Sequence, residues 1–351
     1  MDTRESVVTE VQNGIGWIKL NRPRALNSLN VDMVDTMNEL LKQWKSDDRV
    51  SLICIYGEGE KGFCAGGDMR TLYDLKEKGN EAYANQFFSL EYGLDNAIHH
   101  YPKPVVVLMD GVVMGGGVGL SIGASHRIVT ESSKWAMPEM NIGFFPDVGA
   151  SYFLNRMPGL VGTYVALTAS VIHATDVLYV GAADYYMESK DWPRLKESMM
   201  EKHWTPNAVE TELDQLLESF RSPVSLPSSI SSIQDKIDHH FRFETIEEII
   251  SSLQVSANQG DEWEGITMRT LLSKSPTSLK VTLRQIQKGK GLSLQACFDM
   301  EQNLALNFMK CHDFYEGVRS VLVDKDRSPK WSPTTLDEVT EQQVESFFKT
   351  V

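Results

Sequence analysis

The sequence predicts an α/β fold, a largely parallel sheet layered with helices, followed by a helical C-terminal region. Three observations carry this. Apolar runs alternate with glycine-dense turns and helical periods through the first half of the chain. From about residue 174 onward nearly every segment follows a helical apolar period. The 351 residues, 42% hydrophobic and 23% charged, suit one large core with an appended subdomain.

The elements follow in order. Val7, Val8, Ile15, Trp17, Ile18 and Leu20 flank Asn13-Gly14, a hairpin signal because both turn residues tolerate positive φ. Met33, Val34, Met37, Leu40, Leu41 and Trp44 recur at helical spacing over 31–45. Ser51 to Tyr56 reads as a buried strand, with a glycine-rich loop over 57–68. A second cycle runs from a helix over about 82–100 to a strand over Val105–Met109. A glycine-dense turn over Gly111–Gly119 follows, then a short helix of small residues to Ala124 and a strand over Arg127–Thr130. Loops are expected at 189–193 and 222–232, and no fixed-period repeat is present. The domain division read from this pattern is 1–190 for the α/β core and 191–351 for the helical region.

Composition excludes several function classes. A net charge of −14 opposes bulk nucleic-acid binding, which depends on dense positive charge. The longest apolar runs are far too short to span a bilayer. Cys54, Cys64, Cys297 and Cys311 form no CxxC pair and read as reduced thiols, none of them a metal ligand. Met1 to Glu5 shows no basic, apolar or Arg-rich targeting pattern, so the expected location is cytoplasmic.

Two glycine turns each follow a strand and lead toward a helix: Phe63-Cys64-Ala65-Gly66-Gly67-Asp68 and Met114-Gly115-Gly116-Gly117-Val118-Gly119. Glycines let backbone N–H groups approach a ligand with no side chain in the way. Two such turns face to face could offer two N–H donors to one oxygen, an oxyanion hole for acyl chemistry. Taken alone, a glycine triplet is more often tight packing. A dinucleotide fingerprint fits poorly, since position 120 is Leu and no acidic residue follows at the required place.

Downstream, Glu139 and Asp147 stand in a stretch rich in apolar residues and turns, beside Trp135, Phe144 and Phe145. Carboxylates among aromatic neighbours tend toward raised pKa values, which suits acid–base work. The plainer readings are an N-cap for Asp147, before a helix starting near Val148, and an exposed turn residue for Glu139. The aromatics also offer a small apolar acyl pocket. No Gly-x-Ser-x-Gly elbow occurs. His99-His100 and His239-His240 show no acid placed to orient them, and His126 reads as a core or surface residue.

These motifs together resemble the crotonase superfamily. Asn21 to Leu29 is similar to its first CoA-contacting loop, and Phe63–Asp68 and Met114–Gly119 to its two oxyanion turns. The resemblance implies a core of repeated ββα units wound as a spiral. It also implies N–H donation from Gly67 and Gly116 to a thioester oxygen, and CoA contacts at Arg24, Ala25, Leu26, Ala65, Gly66, Gly67 and Asp68. Typical hydratases carry a glutamate where this chain has Gly119; their second glutamate, twenty residues on, is matched by Glu139.

That departure resembles the 3-hydroxyisobutyryl-CoA hydrolase family, as do Phe145-Pro146-Asp147-Val148-Gly149 and Glu91. So do three C-terminal stretches: Ser275–Lys280, His312–Arg319 and Asp324–Trp331. The implied activity is thioester hydrolysis of a short 3-hydroxyacyl-CoA, as in valine catabolism. Glu139 would supply or activate the nucleophile, Asp147 would hold the 3-hydroxyl or the water, and Glu91 would support either. CoA arrives with the substrate, and no cofactor or metal is expected. The expected partners are an acyl-CoA and further copies in a homo-oligomer, with no nucleic acid or membrane. The rival readings are an enoyl-CoA hydratase or isomerase, and a binding module without catalysis.

Overall fold

The computed structural model describes residues 5–76, 81–205, 208–224 and 227–351. Met1–Arg4 of the N-terminal reading, and Ser225-Leu226 of the expected loop, lie outside them. The chain forms two compact units interleaved along the sequence: Met1–Gly67, Leu90–Trp135 and Ile172–Ser231 in the first, Asp68–Ser89, Ala136–Val171 and Ser232–Val351 in the second.

The first unit is built on a six-stranded sheet. Its strands are β1 (Val7–Gln12), β2 (Ile15–Leu20), β3 (Leu52–Gly57), β5 (Val105–Met109), β7 (His126–Val129) and β10 (Tyr185–Tyr186), adjacent in that order. β1 and β2 form the expected hairpin, with Asn13 at φ 52° and Gly14 at φ 85°. Every later pairing is parallel. The strands read as apolar runs because both faces are covered. On one face Ile15, Trp17, Leu52, Cys54, Val106 and Leu108 join a core with α8 (Trp192–Glu201) and α9 (Val209–Phe220), through Leu195, Met199, Leu213 and Leu217. On the other, the Trp44 ring of α1 (Val31–Lys45) packs on the backbone of Gly16. Asn30 caps α1 by accepting the Met33 N–H at 3.0 Å.

A four-stranded sheet contains β4 (Gly62–Cys64), β6 (Val112–Met114), β8 (Lys134–Ala136) and β9 (Ile172–His173). β4 and β6 run parallel, and each leads into one of the two glycine turns. Three short stretches depart from the sequence reading, the first being the loop expected at 189–193, which holds a 3-10 turn (Ser189–Asp191) and the start of α8. β10 has only two residues, too short to show a period. Residues 229–232 are the start of α10 (Ser229–His240) instead of loop.

The second unit is mainly helical among its described residues. α13 (Pro276–Gly289), α14 (Leu294–Phe308) and α15 (His312–Val318) are its centre, and each is largely buried along one face. From Trp192 to the C-terminus the regular elements of the described residues are helices. No helix among the described residues is long and apolar enough to cross a membrane.

Candidate active site

The first unit brings the two glycine turns side by side. At Gly66, φ 101° puts the backbone where only glycine sits without strain. A Cβ there would lie 3.1 Å from Met114 O and 3.4 Å from Gly116 N. The first turn is strapped to the loop before it, since Leu29 N donates to Gly66 O at 2.8 Å and Ala65 N to Leu26 O at 3.0 Å. That loop is a 3-10 turn over Pro23–Ala25, ending on Leu26 at φ 50°. Arg24 and Ala25 are exposed on it, whereas Asn27 is fully buried and ties it down by donating to Glu58 O and Gly62 O.

Gly116 opens α4 (Gly116–Ile122). Its N–H therefore belongs to the first helical turn, whose donors have no intrahelical acceptor. Gly117 has no room for a side chain, because a Cβ would overlap the Cys64 carbonyl. Glu91, on α3 (Glu81–His99), is 1% exposed, and its Oε1 occupies the space beside the Gly116 Cα. So Ala65, Gly66, Gly67, Gly116 and Glu91 gather in one place. Burial pushes the Cys64 thiol up to about 12, so it stays protonated at neutral pH and is no nucleophile. Asp68 opens the next helix, α2 (Met69–Asp74), where it accepts the Thr71 N–H at 3.4 Å.

The second unit holds both downstream carboxylates on consecutive turns. Glu139 starts a 3-10 turn over Glu139–Ile142, whose end is closed by Phe144 N donating to Glu139 O at 3.1 Å. It is 5% exposed, which sets aside the exposed-turn reading. The turn packs directly on α15, where a Cβ on Gly317 would overlap Ile142 and one on Gly143 would overlap Asp313 O. Phe144 and Phe145 are fully buried, stacked among Phe88, Phe308 and Phe314. They build core in this unit and are not open to an acyl chain.

Asp147 is 2% exposed. It does not cap a helix at Val148. The helix α5 (Ala150–Phe153) starts later, with Gly149 at its N-cap and no side-chain cap. Val148 at φ 53° and Gly149 at φ 86° separate the two. A β-branched residue in the left-handed region is a strained outlier of the kind that gathers at functional sites.

The groups that hold this turn come from far along the chain. Glu301 Oε2 accepts the Gly149 N–H at 2.7 Å and Oε1 the Ser151 N–H at 2.8 Å. Gln285 donates to Pro146 O at 2.6 Å and to Ser151 Oγ at 2.9 Å. Both side chains are fully buried. Neither is legible in the sequence, where each is one polar residue within a helical period. Their burial in the middle of apolar helical faces is the only local sign.

Two of the histidines are held in buried structural contacts. Buried His126 meets Ser125 Oγ at 2.8 Å and Asp214 Oδ1 at 3.1 Å. His240, read from the sequence as having no acid placed to orient it, is buried, with Ser252 Oγ at 2.8 Å and Glu264 Oε1 at 3.7 Å. Glu264 is itself paired to Lys236 at 2.8 Å.

Known proteins bear on this arrangement. The sequence profile of the enoyl-CoA hydratase/isomerase family matches residues 15–348. The chain is 40% identical to the mitochondrial 3-hydroxyisobutyryl-CoA hydrolase of Gallus gallus, over 99% of this chain and 90% of that protein. It is also 40% identical to the small ribosomal subunit protein mS47 of Neurospora crassa, over 96% of this chain and 70% of that protein. Among solved structures, a carnitinyl-CoA dehydratase of Mycobacterium thermoresistibile superposes with a TM-score of 0.91 at 37% identity, covering 99% of this chain and 97% of the other. The likeness runs through both glycine turns, both carboxylate turns and the C-terminal helices, and the chain belongs to the enoyl-CoA hydratase/isomerase family, the crotonase superfamily its motifs resemble.

Proposed function

We propose that the protein is a thioesterase that hydrolyses a short 3-hydroxyacyl-CoA, with 3-hydroxyisobutyryl-CoA as its substrate and valine catabolism as its setting. One observation carries the reading. Position 119, where a hydratase would hold its first acid, is a buried glycine, while Glu139 and Asp147 are both buried carboxylates. Adding water across a double bond lacks one of its two acids here; cleaving a thioester does not need it. The hydrolase relative at 40% identity supports the same choice.

In this reading the thioester oxygen accepts the N–H groups of Gly67 and Gly116, which stabilise the charge that develops as the carbonyl becomes tetrahedral. Glu139 delivers the oxygen nucleophile, either its own carboxylate or a water that it deprotonates. Asp147 holds the 3-hydroxyl or the hydrolytic water, and Glu91 supports that group. Arg24, Ala25, Leu26, Ala65, Gly66, Gly67 and Asp68 contact the CoA portion. The C–S bond breaks and CoA leaves as thiolate and gains a proton; where Glu139 itself attacked, water then cleaves the mixed anhydride and restores the carboxylate, and the free 3-hydroxy acid is the second product. CoA enters with the substrate and the reaction uses no separate cofactor or metal. Residues 1–190 carry the acyl-CoA chemistry, and 191–351 act as helical cover.

Four free cysteines fit a reducing compartment, and a cytoplasmic location is the reading proposed. Self-association into a homo-oligomer is proposed as well, testable by light scattering. Free thiol measured on mixing the protein with 3-hydroxyisobutyryl-CoA or with crotonyl-CoA separates hydrolase from hydratase. The ribosomal name of one relative gives a second reading, a binding module without catalysis, some support. The net charge of −14 opposes an RNA-binding form of it, and an inactive protein that shifts RNA at physiological salt would establish it.

A further inference from the structure

We propose that Glu301 is a positioning residue: its two carboxylate oxygens, one on the Gly149 amide and one on the Ser151 amide, fix the backbone from which the Asp147 side chain projects. The proposal deepens the hydrolase reading and rests on it for the role of Asp147.

The turn needs an outside hold. Val148 and Gly149 are consecutive left-handed residues, and such a conformation persists only where the surroundings over-determine it. The N–H groups of Gly149 and Ser151 stand at the start of α5, a single turn of helix too short to organise itself. Glu301 reaches them across 152 and 150 residues of sequence from the buried face of α14. Gln285 of α13 grips the flanking Pro146 carbonyl and the Ser151 hydroxyl.

The choice of side chain is informative. A carboxylate placed among buried helical residues is expensive, and an apolar residue of similar volume serves stability at least as well. An ionised carboxylate presents two acceptor oxygens and no donor, and the protonated acid still keeps a lone pair on each oxygen, whereas an amide has an acceptor on one end alone. Glutamine in the same place turns an NH2 group toward one of the two amides. Asp147 adds its repulsion from the turn, and Cys297 lies one helical turn away on the same helix. Glu301 touches the turn and not the reacting atoms, so it acts through Asp147.

The test combines exchange and kinetics on the full chain, using Glu301→Gln. Amide hydrogen exchange in a peptide spanning 147–153 is expected to accelerate about tenfold or more, with the rest of α14 unchanged. In thiol release from 3-hydroxyisobutyryl-CoA, kcat is expected to fall on the order of 10- to 100-fold with KM little altered. In an Asp147→Asn background the same change is expected to cost almost nothing further, because the two act as one unit. Where Glu301→Gln yields too little folded protein, Glu301→Asp, which keeps an acceptor on both carboxyl oxygens, replaces it in the same cycle. Unchanged exchange over 147–153, or a kcat loss repeated in full in the Asp147→Asn background, would overturn the proposal. A wild-type protein that releases no thiol removes the hydrolase reading instead, and the exchange result still decides whether Glu301 holds the turn.

Discussion

Glu91 Oε1 fills the space that a Cβ on Gly116 would enter. The carboxylate is buried, so it cannot simply swing into water. Gly116→Ala therefore keeps the backbone N–H yet displaces Glu91, and about tenfold or more of kcat should be lost through misplacement alone. Gly116→Pro removes the N–H itself and should cost about 10²- to 10³-fold. Steady-state thiol release from both variants, with circular dichroism to verify folding, checks the order of the two effects.

The second prediction concerns the acid. Glu139→Gln keeps the shape of the side chain and the 3-10 turn, and removes the ability to attack or to take a proton. Hydrolysis should fall by roughly 10²- to 10⁴-fold. The melting temperature should hold or rise, because a buried carboxylate becomes a neutral amide. Near wild-type turnover would take Glu139 out of the chemistry.

Two glycines give a paired test of packing. A Cβ on Gly117 overlaps the Cys64 carbonyl, which is backbone and cannot rotate away. Gly117→Ala should destabilise the protein by about 1–3 kcal/mol. Gly93 is exposed within α3, with no atom near the position of an added Cβ. Gly93→Ala should stabilise by about 0.5–1 kcal/mol, since alanine loses less backbone entropy in a helix. Urea titration of both variants reads the opposite signs directly.

Glu301 should also leave a mark on the pH dependence of stability. Burial pushes its carboxyl up to about 8, against the opposing effect of the two amides it accepts from. Between about pH 4.5, where the unfolded chain loses this proton, and about pH 8, the folded state holds more protons. The contribution of Glu301 to stability therefore falls as pH rises through that window. Glu301→Gln should flatten this part of the profile, by on the order of a few kcal/mol between the two ends. Equal slopes for the two proteins over pH 5–8 would contradict it.

Much of this architecture was legible because it depends on local signals. Asn13-Gly14 announces the first hairpin, the spacing of Met33, Met37, Leu41 and Trp44 announces α1, and the glycine turns mark the ends of β4 and β6. What escaped depends on partners distant in sequence. Asp147 looked like an N-cap because acid-before-helix is the common pattern, and a left-handed valine after it has no sequence signature. Glu301 and Gln285 look like polar positions on amphipathic helices until the 146–151 turn is seen against them. Phe144 and Phe145 suggested a pocket because aromatic residues beside a carboxylate serve cores and binding sites alike, and here Phe308 and Phe314 claim them for the core.

Free thiol measured during incubation of the wild-type protein and its Glu139→Gln variant with 3-hydroxyisobutyryl-CoA tests the whole account. Stoichiometric, catalytic release of CoA by the wild type, reduced at least a hundredfold in the variant, is the predicted result. Release that is absent from both, or equal in both, would contradict it.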